Sequence, residues 1–130
     1  MIIRTSSYAG WRPEHGQPVR ITLGGPRRPE PTGRARWLYV AELAPRGWYF
    51  NTAPEKFGRM YAAQLERLGD DIERKLGWLA GSFGPLVLCC FERRVSGPSD
   101  CHRRAAAEWL EKRLGIDIPE LDPRNPRGNQ

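Results

Sequence analysis

Three cysteines, three lysines and two histidines are all that this 130-residue chain carries of those types. So few cysteines, odd in number, exclude the disulfide framework of a small secreted domain and point to reduced thiols in a cytoplasm. The longest apolar run, Leu86–Phe91, falls far short of the ~20 residues that a membrane-spanning helix needs. The chain opens on Met1-Ile2-Ile3-Arg4-Thr5 with no long apolar leader. A cytoplasmic protein with no membrane partner is the expectation. The phosphate-binding signatures are missing too. Leu23-Gly24-Gly25-Pro26-Arg27 fits neither a P-loop nor a dinucleotide fingerprint, and there is no Gly-x-Ser-x-Gly elbow and no zinc-protease helix. No cofactor is implied.

Because lysine is confined to Lys56, Lys75 and Lys112, the net charge of +6 rests on arginine. A guanidinium prefers planar, two-point partners such as carboxylate and phosphate. An Arg-rich surface therefore suits a nucleotide, a nucleic acid or an acidic protein, although a GC-rich coding sequence produces the same bias. The length fits one domain with a single core. Glycine (14) and proline (12) are frequent, so long irregular loops are expected. Five tryptophans supply large surfaces for burial.

Met1–Thr5 and Pro18–Leu23 read as strands, and the stretch from Arg27 to Arg36 as a loop of Pro, Gly and Arg. Trp37–Val40 suits a short strand or a helical turn. Pro54 fits the first turn of a helix, with Asn51 or Thr52 as cap, and Phe57, Met60, Tyr61, Leu65 and Leu68 follow at helical spacing. Gly69 ends that helix, and Asp70 opens a second carrying Ile72, Leu76 and Leu79. The continuous apolar run Leu86–Phe91 is the pattern of a central parallel strand buried on both faces. Asp100 caps a third helix that Gly115 stops, and Ile116–Ile118 makes an edge strand. The expected fold is α/β, a small three-layer domain with a mostly parallel sheet flanked by helices. The domain spans 1–121, and 122–130 form a disordered tail.

In a parallel sheet, ligands gather at the carboxyl ends of strands and at the helix N-termini that follow. Here that position holds Cys90 and Glu92 at a strand end and Cys101-His102-Arg103 in a first helical turn. Unpaired N–H groups and the helix dipole favour an anion there. The same field depresses the pKa of a thiol at Cys101, and His102 can relay protons. The catalytic candidates are Cys101, His102 and Glu92. Three readings compete: a thiol nucleophile or anion site, a small buried Cys101 beside solvent-facing cap residues, and a zinc site. Against zinc, Cys89 and Cys90 are adjacent on a strand and point to opposite faces, and no Cys-x-x-Cys pair exists. The aromatics Trp11, Trp37, Tyr39, Trp48 and Tyr49 lie among arginines, as base-stacking residues or as core anchors.

The segments Leu88-Cys89-Cys90-Phe91-Glu92 and Cys101-His102-Arg103-Arg104 resemble those of the bacterial domain-of-unknown-function 488 family, in which a Cys/Glu segment precedes a Cys-His-Arg that opens a helix. Thr5-Ser6-Ser7-Tyr8, Pro18-Val19-Arg20, Gly24 to Arg27, Phe57, Tyr61, Glu108-Trp109 and Pro119-Glu120-Leu121 extend the likeness over nearly the whole chain. Two features depart from it. Ser6-Ser7-Tyr8 stands where longer members have Gly-His-Ser, and Pro18 stands where they have Asp. The resemblance implies one pocket at the strand ends lined by Arg20, Cys90, Glu92, Cys101, His102 and Arg103, with Ser6, Ser7 and Arg27 at its rim. Ligand-binding roles fall to Arg20, Arg103, Cys90, Ser6, Ser7 and Arg27, and no metal ligand is assigned.

Two functions follow. The first is an enzyme or binding domain for a phosphate-bearing or other anionic ligand, a nucleotide or nucleic acid. The second is a binding module without chemistry that engages nucleic acid or an acidic protein through loop arginines such as Arg27, Arg28, Arg34 and Arg36. Oligomeric state and catalysis stay open.

Overall fold

The computed structural model describes residues 1–25, 37–47, 52–91 and 102–124. Strands β1 (Ile3–Ser7), β2 (Gln17–Arg20), β3 (Leu38–Tyr39) and β4 (Leu86–Cys90) form one parallel sheet in the order β1-β4-β2-β3. Helices α1 (Pro54–Arg67) and α2 (Gly69–Phe83) connect β3 to β4, and α3 (His102–Leu114) follows β4. The fold is the expected α/β type. Among the described residues no helix is long and apolar enough to cross a membrane.

Every residue of β4 is buried, as its unbroken apolar run requires of a strand paired on both sides. The two-residue repeat of a strand sorts its side chains. Leu86 and Leu88 join Ile3, Val19 and Ile21 in the larger core, where Tyr61, Ile72, Leu76 and Leu110 of the three helices cover them. Full burial of each such aliphatic side chain contributes about 1.5–3 kcal/mol. Val87 and Cys89 point the other way, into a smaller cluster with Tyr8, Trp11, Trp37 and Leu121. The sheet thus lies between a helical layer and a layer of loop aromatics, in which Trp37 packs 5.1 Å from Tyr8 and 5.7 Å from Trp11, ring centre to centre. Trp11 and Trp37 are anchors of this layer. Trp48 and Tyr49 lie outside the described residues.

Several local readings need correction. The first strand, expected to end at Thr5, continues through Ser6 and Ser7, which pair with Cys89 and Cys90. Helix α1 takes Ala53 as its cap, without a side-chain bond, instead of Thr52; Asn51, the alternative cap, lies outside the described residues, as does Asp100. Helix α2 begins at Gly69 directly after Leu68, so the break between the two helices is tighter than the glycine suggested. Gly115, at φ +67°, does stop α3. The edge strand expected at Ile116–Ile118 does not form. The chain instead meets the sheet two residues later, in a parallel bridge between Thr5 and Glu120, secured by Thr5 N–H to Pro119 O (3.0 Å) and Leu121 N–H to Thr5 O (2.7 Å). Asp122, assigned to a disordered tail, is fully buried. Residues 125–130 lie outside the described part.

Candidate functional site at the strand ends

The carboxyl ends of β1 and β4, the first turn of α3 and the segment Ile118–Asp122 converge on one buried polar cluster. Arg103 is its centre and has no solvent exposure. Its Nε donates to Glu120 Oε1 (2.8 Å) and its Nη2 to Glu120 Oε2 (3.0 Å). Its Nη1 donates to Cys90 Sγ at 3.0 Å. Glu120 Oε1 also accepts from Thr5 Oγ1 (2.8 Å), and Oε2 from the Asp122 amide (3.0 Å). Arg104 Nη1 in turn donates to Thr5 Oγ1 and to the Ile118 carbonyl, each at 2.8 Å. A buried charge survives only when paired and hydrogen-bonded. This cluster meets that condition from three separate parts of the chain.

Ser7 Oγ donates to Asp122 Oδ2 and accepts from the Gly10 amide (2.8 Å). Gly10 has no room for a side chain, since a Cβ there would lie 2.8 Å from Asp122 Cγ and 3.0 Å from Ser6 Oγ. Ser6 and Ser7 are therefore inside the domain, fully buried, rather than at a rim. Their small size and hydroxyls are what allow the turn after β1 to fold back over the strand end.

His102 faces the helical core, where its ring meets Tyr61 edge-on at 5.4 Å. Its Nε2 lies 2.5 Å from the Ile21 carbonyl, which only a protonated Nε2 can use, so Nδ1 is the unprotonated nitrogen. Burial lowers its pKa to about 4. The Ile21 carbonyl works against that shift and Arg103 reinforces it. The imidazole is thus neutral near pH 7 and held in one tautomer. The solvent-facing alternative for His102 and Arg103 does not hold, because both are buried.

Arg20 sits at the end of β2 and behaves differently from Arg103. Ser6, Cys89, Arg20 and Tyr39 occupy one row across all four strands, on the face that carries the aromatic layer. The Arg20 guanidinium lies over the Tyr39 ring at 3.9 Å, and a Cβ at Gly25 would come within 3.0 Å of its Nη1. Its Nε is buried with no hydrogen-bond partner, as are Ser6 Oγ and Trp37 Nε1. In the same row, burial pushes the free Cys89 thiol well up, which keeps it protonated. Tyr8, whose hydroxyl meets Thr22 Oγ1 at 2.5 Å, is likewise kept neutral, chiefly by burial.

The structure thus brings together Cys90, Arg103 and Ser7 in one cluster. His102 neighbours it on the core side, and Arg20 and Ser6 lie on the opposite face of the sheet. Cys101, Glu92 and Arg27 lie outside the described residues. Cys90 is disulfide-bonded, where reduced thiols were expected. Among the described residues no group of three or more His, Cys, Asp and Glu could hold a metal ion. Two surface grooves lined by described residues lie elsewhere, one of about 380 Å³ between α1 and α3 and one of about 240 Å³ beside Met1 and Pro85.

Glu120 and Asp122 are members of this cluster that sequence reasoning did not single out as site residues. The available signal was the alternation of Ile118, Glu120 and Asp122, all buried in the structure, which is the two-residue repeat of an extended segment. No family model, curated protein or solved structure matches this chain. The resemblance to the domain-of-unknown-function 488 family rests on its motifs alone.

Proposed function

We propose that this domain binds a phosphate-bearing or other anionic ligand over the carboxyl end of its sheet, with Arg20 as the principal contact. The observation that carries the reading is the Arg20 guanidinium. It is held in place by Tyr39 but meets no carboxylate or carbonyl among the described residues. Leaving a buried donor unsatisfied costs about 1–3 kcal/mol, and an anionic oxygen would recover it with a charge-assisted bond. Arg103 has the opposite character, since its donors are engaged by Glu120 and Cys90. It serves the site as a scaffold. Trp37 Nε1 offers a second buried donor, and the half-exposed rings of Tyr39 and Phe91 offer flat surfaces on which a nucleobase can stack. The ligand class that combines these features is a nucleotide or the end of a nucleic-acid strand. The reading is one of binding and assigns no bond-making step.

The test is calorimetric titration at low salt with pyrophosphate, a set of nucleoside di- and triphosphates and short single-stranded oligonucleotides, in wild type and in Arg20→Met. Arg20→Met should weaken binding at least tenfold while leaving the melting temperature within a few degrees, and Arg20→Lys should retain part of the affinity. Equal affinity in wild type and Arg20→Met, or no binding of any of these ligands, would sink the reading.

A further inference from the structure

The groove of about 380 Å³ between α1 and α3 belongs to the helical layer, so the sheet stands between it and Arg20. Two rows at helical spacing form its walls. Gly58, Ala62 and Glu66 come from α1, and Ala105, Trp109 and Lys112, with Glu108 beside them, from α3. The buried rings of Phe57 and Tyr61, 6.4 Å apart centre to centre, form the floor. Ala62, Glu66, Glu108 and Lys112 are exposed, so the groove opens to solvent.

Gly58 keeps this space empty. It stands inside α1, where glycine is a poor helix former, yet a Cβ there would meet nothing within 4 Å. No neighbouring atom therefore demands a glycine. Gly77 and Gly81 of α2 have the same open surroundings, but neither lines one of the two grooves. Trp109 is fixed before any ligand arrives. Its Nε1 donates to Glu66 Oε1 at 2.7 Å, and the Arg113 guanidinium lies 5.3 Å from its ring centre. Arg113 is itself tied to Glu73 (2.6 Å) and Asp70 (2.7 Å), which offsets its charge. A preorganised wall loses less freedom on binding. The ionic groups that line the groove are Glu66, Glu108 and Lys112. Neither carboxylate makes an ion pair among the described residues, although the chain carries a net charge of +6.

We propose that this groove binds a small organic cation, a protonated amine carried on a flat apolar body. The body occupies the space over Phe57 and Tyr61 that Gly58, Ala62 and Ala105 leave, and the ammonium meets Glu66 and Glu108. Small-molecule sites usually measure ~300–1,000 Å³, and this groove lies at the lower end, which suits a ligand the size of an arylethylamine. Exposed carboxylate–ammonium pairs are individually weak. The apolar body therefore supplies most of the affinity and the carboxylates supply the choice of charge. Lys112 opposes that choice from the end of the α3 wall.

The experiment titrates the isotope-labelled full chain with tryptamine and, separately, with indolepropionate, its anionic counterpart. The readout is the indole N–H resonance of Trp109 by NMR, assigned by its loss in Trp109→Phe. Tryptamine should shift that resonance to saturation, and indolepropionate should bind about tenfold more weakly. The double variant Glu66→Gln/Glu108→Gln, which keeps an acceptor for Trp109, should weaken tryptamine about tenfold, and Lys112→Gln should strengthen it. Gly58→Leu should abolish binding without lowering the melting temperature, because leucine fills the groove and is the better helix former. Should that variant not fold, the charge variants decide the matter. Equal affinity for the two ligands, undiminished binding to Gly58→Leu, or an unmoved Trp109 resonance at millimolar tryptamine would overturn the proposal. So would a basic amphipathic peptide that shifts Trp109 where tryptamine does not, since the groove would then be a docking face for a protein helix.

Discussion

Arg103 and Glu120 face each other as a two-point ion pair, and neither side chain has any exposure to solvent. Removing one member of such a pair strands the other charge in a low-dielectric interior, which typically costs about 3–5 kcal/mol. Glu120→Ala should lower unfolding stability by that amount, and Arg103→Met/Glu120→Leu by clearly less, because no lone charge remains. Urea denaturation of the two variants and the wild type at neutral pH checks this. A loss under about 1 kcal/mol in Glu120→Ala would show that water reaches the guanidinium.

His102 couples stability to pH. Its folded-state pKa lies near 4, below the ordinary value of about 6.5. As pH falls through about 6.5 the unfolded chain takes up a proton that the folded domain refuses. The stability that His102 contributes is therefore complete above that value and drains as pH falls toward about 4. The separation corresponds to a loss of about 3 kcal/mol. In His102→Gln that share of the acid slope should vanish. Urea midpoints measured at intervals between pH 7 and pH 4 provide the comparison, and parallel slopes in the two proteins would contradict the assignment.

Gly10 and Asp122 should be energetically coupled. A Cβ at Gly10 would crowd Asp122 Cγ at 2.8 Å and Oδ2 at 2.9 Å, and Asp122 is fully buried and so has no room to yield. Gly10→Ala should cost about 1–3 kcal/mol through overpacking. Asp122→Ala should itself destabilise by about 1–3 kcal/mol, since it leaves Ser7 Oγ and the Arg124 amide without their acceptor. The double variant should fall short of the sum, because removing the carboxylate removes the clash. Strict additivity in thermal unfolding would argue against the contact.

Tyr61 anchors the turn at Ala41–Leu43, its hydroxyl donating to the Leu43 carbonyl at 2.7 Å inside the core. Tyr61→Phe should cost on the order of 1 kcal/mol, the usual net value of a buried hydrogen bond, with the fold unchanged by circular dichroism. Gln64→Leu acts on the same turn. It deletes donors to the Glu42 and Ala44 carbonyls and should cost more than Tyr61→Phe.

What could be read from the chain alone was whatever depends on neighbours in sequence. The unbroken run Leu86–Cys90 implied a central strand, Pro54 and Gly115 marked a helix start and stop, and the pleat separated Cys89 from Cys90. Local signals also pointed to the strand ends, where the structure places a buried polar cluster around Arg103. They did not reveal its wiring. Thr5 meets Glu120, and Ser7 meets Asp122, across 115 residues of sequence, and no local pattern records such a partnership. For the same reason two arginines that look alike in sequence have opposite fates. Arg103 is buried because a distant carboxylate reaches it, whereas the buried Nε of Arg20 has no hydrogen-bond partner and no carboxylate meets Arg20 among the described residues. Periodicity and backbone preference act over a few residues, so the sequence determined the elements. The pairing of charges depends on where the whole chain brings them, and that was decided only by the tertiary structure.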